Sequence, residues 1–158
     1  MEKVRWGFIG AGMIAKKALW PALLNSEVGE IYAVAARDEA RAKALSPSGR
    51  IYTNYDDLLA DPNVEAIYIS LPNSLHMPWS IRALEAGKNV LCEKPLAMNA
   101  AEVREGIAAQ TKSGKLFMEA SWNRWHPRTI RLNEIVKSGA IGEVKKIRSC
   151  FTYTDLDP

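Results

Sequence analysis

An apolar strand that ends in glycines and runs straight into a helix, repeated down the chain, leaves few folds open. Val4–Ile9 reads as the first strand, Gly10-Ala11-Gly12 as its turn, and a helix follows from about Met13. Pro21 is expected to bend or restart that helix near Trp20, because proline lacks an N–H and its ring clashes with the preceding turn. Ile31–Ala36 is a second apolar run, and Asp38 can cap a helix from Glu39 to about Leu45, closed by Pro47-Ser48-Gly49. Ile51–Thr53, Ala66–Leu71, Asn89–Cys92 and Leu116–Ala120 supply further strands. Between them fall a helical turn at Tyr55–Leu59 and a helix from a Ser74 cap to Ala86, with Gly87 just beyond. A last helix of this series, Ala100–Lys112, is opened by Asn99 and Glu102 and closed by Ser113-Gly114. The near-continuous apolar run Ala66–Leu71 is the pattern of a strand covered on both faces.

Strands alternating with helices imply a parallel sheet wound by right-handed crossovers. Six strands in this order fit an α/β, doubly wound, Rossmann-type dinucleotide-binding fold. The tail differs. Pro127 to Lys137 reads as one more helix, closed by Ser138-Gly139. Glu143–Thr154 then sets Val144, Ile147, Cys150 and Tyr153 among Lys, Arg, Ser and Thr, as a long strand with one wet face would. The expected division is a dinucleotide-binding domain at 1–122, followed at 123–158 by a helix and one strand of an incomplete α+β domain. An unpaired strand exposes a row of backbone donors and acceptors. The stretch after about Gly142 is therefore expected either to be disordered or to pair with a second copy, giving a homo-oligomer through the C-terminal strand.

Composition excludes other classes. The 158 residues are 47% hydrophobic and 25% charged, as in globular domains. A net charge of +3, from 21 basic and 18 acidic residues, is too small and dispersed to call for nucleic acid or a membrane surface. The longest apolar runs have strand length, far short of a membrane span, and Met1-Glu2-Lys3-Val4 shows no secretory leader. Cys92 and Cys150 lie in apolar, strand-like runs and are expected to be buried reduced thiols in a cytoplasmic protein. Two distant cysteines and two distant histidines offer no metal-ligand spacing.

The residues that carry chemistry stand at strand ends. Gly10 permits a tight turn, Gly12 lets the backbone approach a pyrophosphate, and Ala15 is small enough for close helix–strand packing. Met13 and Ile14 open the helix, whose first N–H groups and positive dipole end favour phosphate. After the second strand comes Arg37-Asp38. An arginine here can hold an adenosine 2′-phosphate by charge-assisted bonds, so NADP is expected ahead of NAD. Asp38 can reach a ribose hydroxyl; the pair also reads as a solvated cation beside a helix cap. In Leu71-Pro72-Asn73-Ser74-Leu75-His76, Asn73 and His76 are placed to touch ribose or nicotinamide, the alternative being a turn and a helix start. In Glu93-Lys94-Pro95 the lysine can donate a hydrogen bond or shuttle a proton, the alternative being a turn with a surface ion pair.

Gly-Ala-Gly-Met-Ile-Ala at 10–15, Leu-Pro-Asn-Ser-Leu-His at 71–76 and Glu-Lys-Pro at 93–95, taken together, resemble the glucose–fructose oxidoreductase, inositol dehydrogenase and rhizopine catabolism (Gfo/Idh/MocA) family. The stretch from Met118 to Pro127 is similar to its dihydrodiol dehydrogenase and xylose dehydrogenase branch, and Ser138–Val144 fits the family's crossing into its second domain. The resemblance implies hydride transfer between a nicotinamide cofactor and a sugar, polyol or dihydrodiol-type substrate. It implies that Lys94 lies near the reacting hydroxyl, that Leu71, Pro72, Asn73, His76 and Glu93 border the cofactor, and that Arg124 and Trp122 border the substrate. Trp122 and Trp125 also read as domain-junction core. Members carry a full substrate and dimerisation domain with further catalytic residues, of which this chain holds only the start. The alternatives are a stand-alone dinucleotide-binding sensor and a half-enzyme completed by another polypeptide.

Overall fold

Each apolar run past a turn becomes a strand: β1 (Val4–Ile9), β2 (Gly29–Ala35), β3 (Ile51–Tyr52), β4 (Ala66–Ile69), β5 (Asn89–Cys92) and β6 (Phe117–Glu119). The computed structural model describes residues 2–45 and 47–152. The six strands form one parallel sheet in the order β3-β2-β1-β4-β5-β6. That is the doubly wound order, with the chain reversing its direction of travel between β1 and β4. Alternate residues divide into two cores. Ile9, Ala33, Ala35, Ile67, Ile69 and Val90 pack on one face with Leu58 and Leu84. Phe8, Val34 and Tyr68 pack on the other with Ala15, Leu23 and Leu45. Every residue of β4 is buried, as its unbroken apolar sequence implies.

The helices follow from their termini. Met13 and Ile14 begin a helix that widens into π-helical turns at Ala15–Leu19 and resumes as α1 (Trp20–Leu24). Pro21 has no N–H to give to the turn before it, and the Trp20 N–H reaches back to the Ala15 carbonyl. Asp38 caps α2 (Glu39–Lys43), its Oδ1 accepting the Arg41 N–H at 3.1 Å. Asn54 caps α3 (Tyr55–Ala60). Asn99 caps α5 (Ala100–Ser113), accepting from Ala101 and Glu102, while Glu102 reaches back to the Met98 N–H. The helix α4 (His76–Glu85) corrects an expectation, because Ser74 does not cap it. Residues Asn73–Leu75 form a 3₁₀ turn closed by a bond from the Leu75 N–H to the Pro72 carbonyl, so the α-helix starts only at His76.

One compact unit ends at Ala120 and a second begins at Ser121. The second holds a 3₁₀ turn at Trp122–Trp125 and α6 (Pro127–Lys137), whose His126 Nδ1 accepts the Arg128 N–H at 3.1 Å. The expected strand at Glu143–Thr154 is absent as far as residue 152, and Tyr153 and Thr154 lie outside the described residues. Its alternating side chains find no sheet to cover them: Ile147 is 82% exposed. Cys150 is likewise exposed, not buried as expected, because it belongs to this segment. Cys92 is buried in β5, and burial pushes its thiol up to about 12. No helix among the described residues is long and apolar enough to cross a membrane.

Candidate functional site

The reversal between β1 and β4 opens a crevice at the carboxyl ends of the strands, where the loops of the first unit converge. Gly10 is fixed there by the fold itself. Its φ is +97°, its N–H bonds to the Ala35 carbonyl at 2.9 Å, and its carbonyl accepts the Ser70 hydroxyl at 3.2 Å. A Cβ on Gly10 would lie 3.1 Å from the Ser70 carbonyl oxygen. Gly12 differs. A Cβ there would meet the Ser70 carbonyl at 3.5 Å, an ordinary contact, so protein packing leaves this position free to carry a side chain. Its bare backbone leaves open space against the loop, as close approach of a ligand requires. Met13 and Ile14 follow, both exposed, at the start of the helix whose first N–H groups lack partners within it.

A cavity of about 270 Å³ lies against this loop, and Gly12, Met13, Lys16 and Arg41 line it. Arg41 crosses from α2 and donates to the Ala11 carbonyl from Nε at 3.1 Å and from Nη2 at 2.8 Å. The cavity wall is therefore basic. Neither Arg41 nor Lys16 was singled out from the sequence. Arg37 is exposed just past β2. Asp38 beside it has one carboxylate oxygen committed to the helix cap. A larger cleft of about 410 Å³, lined by Arg50, Tyr52, Asp57 and Asn63 among others, includes the residues that lead into β4. It therefore lies toward the opposite ends of the strands from the glycine loop.

Past β4 and β5 the two remaining motifs are tied together. Tyr68, 1% exposed, donates its hydroxyl to Glu93 Oε1 at 2.7 Å. Burial, then the Glu93 hydrogen bond and charge, hold that hydroxyl's pKa far above its ordinary value. Glu93 Oε2 accepts the Lys94 N–H at 3.2 Å, and the Leu96 N–H donates to Glu119 Oε1 at 2.9 Å. The Lys94–Pro95 peptide is cis. The Lys94 side chain is exposed, and its ammonium makes no hydrogen bond or ion pair among the described residues. Asn73 and Pro72 are at the surface after β4, while Leu71 packs against the core. His76 corrects the expectation of a cofactor-touching ring. It is 1% exposed, and its nitrogens already face the Pro95 carbonyl at 2.7 Å from Nδ1 and the Leu71 carbonyl at 2.8 Å from Nε2. Trp122 and Arg124 belong to the second unit. There Trp122 is 55% exposed and meets the His126 ring edge-on, and the Arg124 N–H bonds to the Ser121 carbonyl.

A family model described as an oxidoreductase family with an NAD-binding Rossmann fold (GFO_IDH_MocA) matches residues 4–121. An uncharacterized oxidoreductase of Rhizobium meliloti is 47% identical across all of this chain and 48% of its own length. The trans-1,2-dihydrobenzene-1,2-diol dehydrogenase of Mus musculus is 41% identical over 95% of this chain and 46% of its own. The chain thus spans about half the length of these curated relatives. Among solved structures, KijD10, a 3-ketoreductase from Actinomadura kijaniata in complex with NADP and TDP-benzene, superposes with a TM-score of 0.82 at 35% identity. That match covers 90% of this chain and 44% of KijD10.

Proposed function

Because this chain belongs to the Gfo/Idh/MocA family of oxidoreductases, we propose that it forms the cofactor-binding part of an enzyme moving hydride between NADP(H) and a hydroxyl or carbonyl carbon. The substrate proposed is a sugar, a polyol or a dihydrodiol-type compound, the last two classes being alcohols like the diol in the name of the mouse relative. One observation carries the reading. The glycine loop after β1, the Arg37–Arg41 pair after β2 and the Lys94 turn after β5 all stand at the carboxyl ends of one parallel sheet. A dinucleotide laid across such a sheet meets these loops in turn.

The residues present fit that ligand. The Gly10–Gly12 backbone and the N–H groups opening the helix at Met13 and Ile14 receive the pyrophosphate. Arg37 receives the adenosine 2′-phosphate, which a guanidinium grips with two parallel bonds, and Arg41, whose Nε and Nη2 hold the Ala11 carbonyl, adds positive charge nearby. Pro72 and Asn73 border the nicotinamide end. When bound, the nicotinamide supplies the hydride donor or acceptor. In the reducing direction the Lys94 ammonium gives a proton to the carbonyl oxygen as the carbon gains hydride. In the oxidising direction the hydroxyl proton passes to Nζ of the neutral Lys94 amine and regenerates the ammonium. Arg124 and Trp122 are proposed to contact substrate, and the cytoplasm is the proposed location. Titration with NADPH and NADH, followed by tryptophan fluorescence, tests the reading; failure of both to bind would overturn it.

A further inference from the structure

We infer that buried Tyr68 and His76 are positioning residues that hold the Glu93–Pro95 turn, and through it Lys94, at the carboxyl end of β5. The inference rests on the cofactor reading above and deepens it. Lys94 is the candidate proton-moving group, yet its ammonium makes no hydrogen bond or ion pair among the described residues. What is fixed is the backbone that carries it. Tyr68 is locked by packing in mid-sheet, with the Phe8 ring edge-on at a centroid distance of 5.1 Å. From that post its hydroxyl holds Glu93 Oε1, and the other oxygen of the same carboxylate takes the Lys94 N–H. On the far side of Lys94 the Pro95 carbonyl meets His76 Nδ1, and His76 is anchored at the start of α4 with Nε2 against Leu71. Proline leaves no N–H at position 95, so its carbonyl is the only backbone group there by which the turn can be tied.

The two ties act through different atoms of the core, yet converge on one lysine. Both side chains are about 1% exposed, so neither can touch a ligand itself. Both ring nitrogens face carbonyl oxygens, which only accept, so each contact is a hydrogen bond where its own nitrogen carries the proton, and the tie to the turn is the one from Nδ1–H to the Pro95 carbonyl. Asparagine places an amide N–H where Nδ1 stands, and glutamine places one where Nε2 stands. The two substitutions therefore separate the tie to Lys94 from the tie to Leu71.

The test uses the complete enzyme of which this chain is proposed to form the cofactor-binding part, with the variants Tyr68→Phe, His76→Asn and His76→Gln. Lys94 is labelled by reductive methylation with and without NADPH and read by peptide mass spectrometry; kcat and the NADPH Kd are measured alongside. In the unsubstituted protein NADPH is expected to protect Lys94. Tyr68→Phe and His76→Gln should lose that protection and lower kcat by about ten- to a hundredfold, the scale of a misplaced reacting group. Their NADPH Kd should stay within about threefold, less than 1 kcal/mol of binding energy. His76→Asn should keep both protection and turnover. Protection and kcat intact in Tyr68→Phe and His76→Gln would overturn the inference, and so would rescue by glutamine but not asparagine. If NADPH binds the unsubstituted protein without protecting Lys94, the placement of Lys94 at the cofactor fails first. Tyr68→Phe removes only a hydroxyl, so the test survives even if the glutamine variant fails to fold.

Discussion

Arg37 precedes the cap of α2 and Arg41 lies inside that helix, and Asp38 between them turns one carboxylate oxygen to the cap. Arg37 stands where a site built for NAD carries its ribose-reading acid, while Asp38 keeps its second carboxylate oxygen outside the cap. NADPH is therefore expected to bind more tightly than NADH by ~2–3 kcal/mol, or about 30–150-fold, the worth of two charge-assisted bonds. Arg37→Ala should remove most of that preference and leave NADH affinity nearly unchanged, as fluorescence titration of both cofactors would show. Equal affinities in the unsubstituted protein would remove the 2′-phosphate from the site. Lys94→Ala should lower turnover of the whole enzyme by about two to four powers of ten, the range for losing an acid–base group, with little change in NADPH affinity. Near-normal turnover would make Lys94 a turn residue only. The places of Gly10, Gly12, Arg37 and Lys94 at strand ends were legible because their signal is local: a residue type at the end of an apolar run. Arg41, Lys16 and the true place of His76 were not. Where a side chain points across to another element is set by packing, and a polar residue in the first turn of a helix reads the same whether it faces solvent or core.

β1 shows what an element can hide in a strand pattern. Gly7 sits in the middle of it, and a Cβ there would lie 2.9 Å from Leu58 Cδ2 and from Val64 Cγ1. The strand is thin at this point so that α3 and the chain after it can lie close. Gly7→Ala should cost ~1–3 kcal/mol by overpacking, measured as a lower urea midpoint with an unchanged m value. The end of α3 carries a pH signature as well. Burial raises the pKa of the Asp61 carboxyl, but the Asn63 N–H, the Tyr52 hydroxyl at 2.8 Å, the Asn63 amide and the Arg50 charge outweigh it and hold the carboxyl below the usual aspartate range. Folding thus favours the charged form. The stability this contributes is complete above the unfolded value and is lost as pH falls through the folded one. Asp61→Asn should flatten the loss of stability between about pH 5 and pH 2 in urea melts; an unchanged slope would mean other carboxylates set it. Elements with strong ends were read to the residue, β1, β5 and α6 among them. Ser74 was misread because Pro72 starts a 3₁₀ turn first, and the alternation from Glu143 was misread as far as residue 152 because a period of two becomes a strand only beside another strand.

At the scale of the molecule, all six strands, both apolar cores and every proposed cofactor contact fall within residues 1–120. The sheet is closed on its own sequence: β3 and β6 are its edges, and the strands between them have helices on both faces. A unit of this size buries enough apolar surface to stand alone. Residues after Gly142 contribute no strand to it as far as residue 152. A chain shortened to residues 1–142 should therefore unfold in a single cooperative transition and bind NADPH within about threefold of the 158-residue chain. Shortening further, to residues 1–120, should give the same result, because α6 and the Trp122–Trp125 turn lie in the other unit. Turnover is a separate matter. The proposed proton-moving role of Lys94 does not by itself orient a substrate, so none of the three lengths, the 158-residue chain included, is expected to oxidise or reduce one. Calorimetry and fluorescence titration of the three lengths decide between these outcomes. A loss of NADPH affinity of more than about tenfold on removing 121–158, with cooperative unfolding intact, would show that the second unit contributes to the cofactor site and that the site extends beyond the sheet that carries it.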